Sequence, residues 1–111
     1  METDRELLEL AAMAVGAKPS QEDGVIYAGF GSREWNPLTD DGDALRLAVK
    51  VKLLVDTDHC CAMPIYKSGS NPDDWSDGEL EDDPYESTRR AIVRAAAAIG
   101  REKQNEASNG N

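Results

Sequence analysis

The stretch NPLTDDGDALRLAVKV, residues 36–51, decides how the chain is read. Three aspartates surround a glycine directly ahead of an apolar run. The pattern suits a cation-binding loop, a pair of catalytic acids or the start of a helix. An EF-hand loop needs glycine at its sixth position, acidic ligands at the first, third and fifth, and glutamate at the twelfth. Placing Gly42 sixth puts Pro37 first and Ala48 twelfth; placing Gly78 sixth puts Trp75 third and Pro84 twelfth. Neither register can hold calcium. Asp40, Asp41 and Asp43 are therefore read as a capped turn. Short acidic side chains accept from the unpaired amides of a first helical turn and suit its partial positive charge.

Behind the aspartates two periods compete. Leu45, Ala48, Val49 and Leu53 fit one helix face, whereas Leu45, Leu47, Val49, Val51 and Leu53 also alternate strictly, as in a strand. The caps, and Lys50 and Lys52 at the far end, favour a helix for the first half, with residues 53–56 already extended. The run VIYAGF, residues 25–30, is β-branched and aromatic between glycines and reads as a strand, as does CCAMPIY, residues 60–66. Pro64 cannot donate a ladder hydrogen bond and belongs at an edge or a bulge. A short turn at Asp58 and His59 would join 53–57 to 60–66 as an antiparallel hairpin.

Two further helices announce themselves by their caps. Thr3 and Glu6 have capping-box spacing, and Leu7, Leu8, Ala11, Ala12 and Val15 recur at helical intervals before Gly16, which predicts a helix over 4–15. Asp83-Pro84-Tyr85-Glu86 opens a helix over 84–99, with Tyr85, Thr88, Ile92, Ala95, Ala96 and Ile99 on one face and Arg89, Arg90 and Arg94 off it. Residues 67–83 read as an acidic loop, and the polar segment from Arg101 to Asn111 as a disordered tail. The expected fold is α+β: a single domain over 1–100, with three helices and a small antiparallel sheet of three or four strands, layered as an α/β/α sandwich.

At 111 residues the chain makes one domain. Its 22 acidic and 12 basic residues give a net charge of −10, and from Asn71 to Glu86 there are eight acidic residues and no basic one. Such a surface repels a phosphate backbone, so direct nucleic-acid binding is not expected, yet an acidic protein can occupy a basic surface on another protein. No run reaches the ~18 apolar residues of a membrane span, and the N-terminus is acidic where a secretion signal is basic, so the expected location is cytoplasmic. The adjacent Cys60 and Cys61 suit reduced thiols.

Chemistry-bearing residues are few. Zinc sites need four ligands at spacings of two to four residues, and His59 is the only histidine, so no metal and no cofactor is expected. On a strand His59 and Cys61 would share a face, but a Cys–His nucleophile needs a third, orienting group. Gly29-Phe30-Gly31 follows a strand as in a dinucleotide fingerprint, but the third glycine position is Glu34. Trp35 and Trp75 sit in loops, where an indole anchors the loop to the core or marks a binding surface. Candidate binding residues are Trp35, Asn36, Asp40, Asp73, Asp74 and Trp75; no residue is assigned a catalytic role, and the chain is read as a non-enzyme.

The blocks WNPLTDDGDALRLAVKV and DPYESTRRAIVRAAAAIG resemble the phage ABA sandwich domains, small phage and prophage proteins with an N-P-[LS]-T-D type turn and a late D-P-Y-x-x-T-R-R-A-I-x-R-A helix. The matching residues are Asn36–Asp40 and Asp83–Ala95. The resemblance implies helices layered on a small antiparallel sheet and a phage or prophage accessory protein in a bacterial cytoplasm. It implies no reaction and carries over no catalytic residue. The functional expectation is contact with a host or phage protein, compatible with homo-oligomers. The alternatives are a small-molecule or nucleotide-binding protein, with Trp35 as a stacking wall, and an acidic nucleic-acid mimic that inhibits a host defence protein.

Overall fold

Local capping sets the first helix where its spacing predicts. The Thr3 hydroxyl accepts the amide of Glu6, and the Glu6 carboxylate reaches back to the amide of Thr3. The helix stops at Gly16, whose φ of +77° is one that glycine adopts without a Cβ penalty. The computed structural model describes residues 3–16, 34–67, 71–79 and 83–109. The strand expected at 25–30 and the Gly29–Gly31 turn lie outside the described residues.

The chain order is α1 (Asp4–Ala14), α2 (Asp41–Val51), β1 (Leu53–Asp56), β2 (Cys61–Pro64), a 3-10 turn (Pro72–Asp74), β3 (Ser76–Asp77) and α3 (Pro84–Asn109). The three strands form one antiparallel sheet in the order β1-β2-β3, with Leu53 opposite Pro64 and Ala62 opposite Ser76. The fold is α+β. Among the described residues no helix is long and apolar enough to cross a membrane.

The change of period within residues 45–55 is resolved at one residue. Lys52 takes a left-handed conformation, φ 60° and ψ 69°, and its amide bonds the carbonyl of Ala48, ending α2 one residue before β1 begins. A Cβ in that conformation is strained. Lys52→Gly is therefore expected to raise stability by about 0.5–1 kcal/mol, allowing for the larger unfolded-state entropy of glycine. The urea midpoint checks this, and a lowered midpoint contradicts it.

The hairpin forms as its spacing predicts, through a turn at Thr57–Cys60. Pro64 lies in the central strand rather than at the edge of the sheet. Ile65 N–H donates to Lys52 across β1, so the nitrogen of Pro64 faces the opposite side, where β3 has already ended. Its missing donor therefore leaves no ladder bond unmade.

All of α1, α2 and the three strands pack on α3, which is the hub of the fold. Positions 91–93 and 95–97 are all buried, more than a full turn, so α3 is enclosed rather than one-sided. The alanines at 91, 95, 96 and 97 make it slim enough for neighbours on every side. Asp4 pairs with Arg90, Leu10 abuts Gly100, and Ala14 O accepts from Lys103 Nζ at 2.9 Å, so α1 runs parallel to α3. Asp41 pairs with Arg89, and Val51 and Ile99 line one small pocket, so α2 runs the same way.

Two expectations about the chain end and the acidic loop are corrected. Residues 101–109 are not a frayed tail: α3 continues to Asn109, and two of its polar side chains, Glu102 and Lys103, have partners on the rest of the fold. Lys103 caps the end of α1, and Glu102 accepts from Tyr66 at 3.0 Å and Lys67 at 3.4 Å. Nor are residues 67–83 wholly loop. Asn71 caps the 3-10 turn, β3 joins the sheet, and Arg94 holds Asp77 O at 2.8 Å and Glu79 at 3.1 Å.

Candidate functional site: an apolar groove between α2 and α3

The apolar residues of α2 divide into two sets. Ala44, Leu47 and Ala48 are buried in the core with Leu7, Ala11, Trp35, Leu38 and the alanines of α3. Leu45 and Val49 point outward, 65% and 68% exposed. On α3 the expected core face begins with Tyr85, which is instead 69% exposed. Leu45, Val49 and Tyr85 are thus three residues whose spacing suggests burial and which the fold leaves in water. Two of them, Leu45 and Tyr85, meet at one place. Leu45 and Tyr85 stand over a groove of about 530 Å³ between α2 and α3, floored by Ala44, Ala48, Val55 and Ile92. Val49 lies one turn beyond Leu45 on the same helix face.

The stretch that opens the sequence problem builds the end wall of this groove. Asp40 is the N-cap of α2, accepting the amide of Asp43 at 2.8 Å. Asp43 is only 2% exposed; its carboxylate accepts the amide of Asn36 at 2.9 Å and a guanidinium hydrogen of Arg46 at 2.9 Å. The Asn36 side chain accepts from Leu38 N–H at 3.0 Å, closing the turn from the other side. Asp41 lines the groove and pairs with Arg89 Nη1 at 2.6 Å, while Arg89 Nε donates to the carbonyl of Leu38 at 2.9 Å. Each aspartate is thus engaged in holding the turn or tying it to α3. Among the described residues no group of three or more His, Cys, Asp or Glu side chains could hold a metal ion.

The β1–β2 turn supplies the mouth of the groove through Thr57, and Cys60 Sγ lies 3.8 Å from the carbonyl of Pro84 at the start of α3. In that turn Asp56 accepts the amides of Asp58 and His59, and its other oxygen accepts from His59 Nδ1 at 2.8 Å. The hydrogen bond to Asp56, with the charges of Asp56 and Asp58, holds the His59 pKa above its ordinary 6.5. The same bond lowers Asp56 below 3.8. His59 steadies the turn below pH 6.5 and ceases to as pH rises through its elevated value; Asp56 steadies it above pH 3.8 and ceases to as pH falls through its lowered value. The turn is therefore tightest between those two ordinary values. An NMR titration of His59 is expected to show a midpoint above 6.5 that returns toward 6.5 in Asp56→Asn; a wild-type midpoint below 6.5 contradicts the pairing.

Asp56 is the orienting group that a Cys–His nucleophile requires, but it does not serve a thiolate here. The ring faces Asp56 and Asp58, and burial, followed by the nearby charges of Asp56 and Asp77, pushes the Cys61 thiol upward. A nucleophilic cysteine needs the opposite shift.

The six binding candidates read from the sequence fall in two places, and none lines the groove. Trp35 is buried in the core, so it anchors its loop and is not exposed as a stacking wall. Asn36 and Asp40 belong to the turn before α2, and Asp73, Asp74 and the half-buried Trp75 to the 3-10 turn and its end. The groove residues Leu45 and Tyr85, and Val49 one turn beyond, were legible only as apolar positions. Comparison with protein-family profiles, with curated proteins and with solved structures finds no match.

Proposed function

We propose that this chain is a phage-type accessory protein that acts in the host bacterial cytoplasm by docking another protein, of host or phage, on the groove between α2 and α3. One observation carries the reading: Leu45 and Tyr85 present exposed apolar surface at a preformed groove, and Val49 extends it one turn along α2, where the fold has no use for it. Clustered exposed apolar side chains beside a concavity are the usual anatomy of a contact site. The phage setting rests on the two sequence blocks. They also have a structural account, since Arg89, Arg90 and Arg94 each tie a different element to α3. The test is affinity capture from bacterial lysate at physiological salt with wild-type protein and with Leu45→Gln/Val49→Gln. Glutamine suits a helix and an exposed site. The wild type is expected to retain a protein that the double variant loses; equal capture by both, or none by either, contradicts the reading.

A second reading is a small-molecule site, favoured by the volume, which lies within the ~300–1,000 Å³ of ligand pockets. A ligand at 100 times its dissociation constant would stabilise the fold by about 2.7 kcal/mol, which thermal-shift screening detects. The acidic-mimic reading draws support from the anchoring of residues 71–79, because mimicry needs charges at fixed spacing. Against it, Glu79 is already engaged by Arg94, and that bond holds its pKa below the ordinary value.

A further inference from the structure

We infer that the occupant of the α2–α3 groove is a cationic amphipathic helix of a partner protein; this rests on the docking reading above. The shape argues for a helix. The walls are two helices running the same way, and a channel between parallel helices takes the side-chain ridge of a third. On α2 the lining runs from Asp41 to Ala48, about 10 Å of helix axis at 1.5 Å per residue. That length matches two turns of a docked helix, with apolar anchors at positions i, i+3 or i+4, and i+7. Ala44, Ala48 and Ile92 form a shallow apolar floor for such anchors, and Leu45 and Tyr85 can close over their sides.

Charge argues for the sign. Three chain segments converge on the mouth of the groove: the start of α2, the β1–β2 turn and the start of α3. Asp40, Asp41, Asp56, Asp58, Asp83 and Glu86 each line the groove or adjoin a lining residue in the chain. The cations on these segments already face carboxylates: Arg46 faces Asp43 and Asp40, Arg89 faces Asp41, Arg90 faces Asp4 of α1, and His59 faces Asp56. Asp40 and Asp83 also serve as caps, but a cap keeps its negative charge. The net field at the mouth is negative. It favours lysine and arginine flanking an apolar stripe and disfavours an acidic segment.

The probe is a random displayed library of peptides about 16 residues long, enough for a bound helix to form. It is selected on the wild-type protein and counter-selected on Leu45→Gln/Val49→Gln. Enriched peptides are expected to carry net positive charge and apolar residues at helical spacing. The best of them should bind the wild type about tenfold or more tighter than the double variant by fluorescence anisotropy. Its affinity should fall several-fold between about 50 and 300 mM salt, as screening of the rim charges requires. Asp58→Asn/Glu86→Gln should weaken it without altering the circular dichroism spectrum. Enrichment of acidic peptides, of strictly alternating ones, or of none that prefers the wild type overturns the inference. So does a homodimer in sedimentation that dissolves in Leu45→Gln/Val49→Gln, since the occupant is then a second copy. If lysate capture still depends on Leu45 and Val49 while the selection returns acidic or alternating peptides, the docking reading survives and only the partner chemistry fails. If neither experiment depends on them, both fail.

Discussion

Replacing Gly100 by alanine is expected to destabilise the protein by about 3 kcal/mol, the upper range for overpacking a core. A Cβ at this position would overlap the carbonyl oxygen and carbon of Leu10. These are backbone atoms of α1, so no rotamer change relieves the clash, and α1 must move off α3 as a unit. That shift loosens the seam of Leu7, Ala11 and Ala14 against α3 and pulls the Lys103 ammonium from Ala14 O. The sign is the informative part. At an open helix position the same change stabilises by about 1 kcal/mol through propensity alone. Urea unfolding decides between them, and a higher midpoint for Gly100→Ala would show that α1 does not approach α3 here.

Asp43→Ala is expected to cost a similar amount, about 3 kcal/mol. It leaves the Asn36 amide without its buried acceptor and removes one carboxylate partner of Arg46. Asp43→Asn keeps an acceptor for the amide and should cost about 1 kcal/mol, the value of a typical net hydrogen bond. The ordering of the two variants by chemical denaturation separates a structural carboxylate from a ligand. If the turn bound a cation, calcium would raise the melting temperature of the wild type by mass action and neither variant would respond. The expected result is that calcium and chelator leave the wild type unchanged while the two variants differ. Equal losses in both variants, or stabilisation by calcium, contradict the capped-turn account.

What was legible in the sequence follows from where each signal resides. The starts of α1, α2 and α3 are set by side chains three residues or fewer from the amides they cap, so Thr3, Asp40 and Asp83 could be read directly. The hairpin was legible because its turn is short and its strands adjoin. The end of α3 was not. Gly100 looks like a stop, but its small size serves the contact with Leu10, and the helix beyond it is held by Lys103 and Glu102 reaching α1 and β2's end. Those contacts span more than thirty residues and leave no periodic trace. β3 is two residues long, below what any alternation can reveal. The groove was hidden for a different reason. Hydrophobic periodicity records that a side chain avoids water, not whether its own chain or another molecule covers it. Leu45, Val49 and Tyr85 carry the same signal as Leu47 and Ile92, and only the fold separates them.

The central claim is that Leu45 and Val49 are kept for contact and not for folding. The most direct measurement is equilibrium urea unfolding of Leu45→Gln/Val49→Gln beside Leu47→Ala. Leu47 is fully buried one position from the groove wall, so its truncation should cost about 3 kcal/mol through lost burial and the cavity left behind. The double variant should stay within about 0.5 kcal/mol of the wild type, as expected for exposed positions. A double variant that loses as much stability as Leu47→Ala would place both side chains in the core and leave the groove without its α2 rim at Leu45.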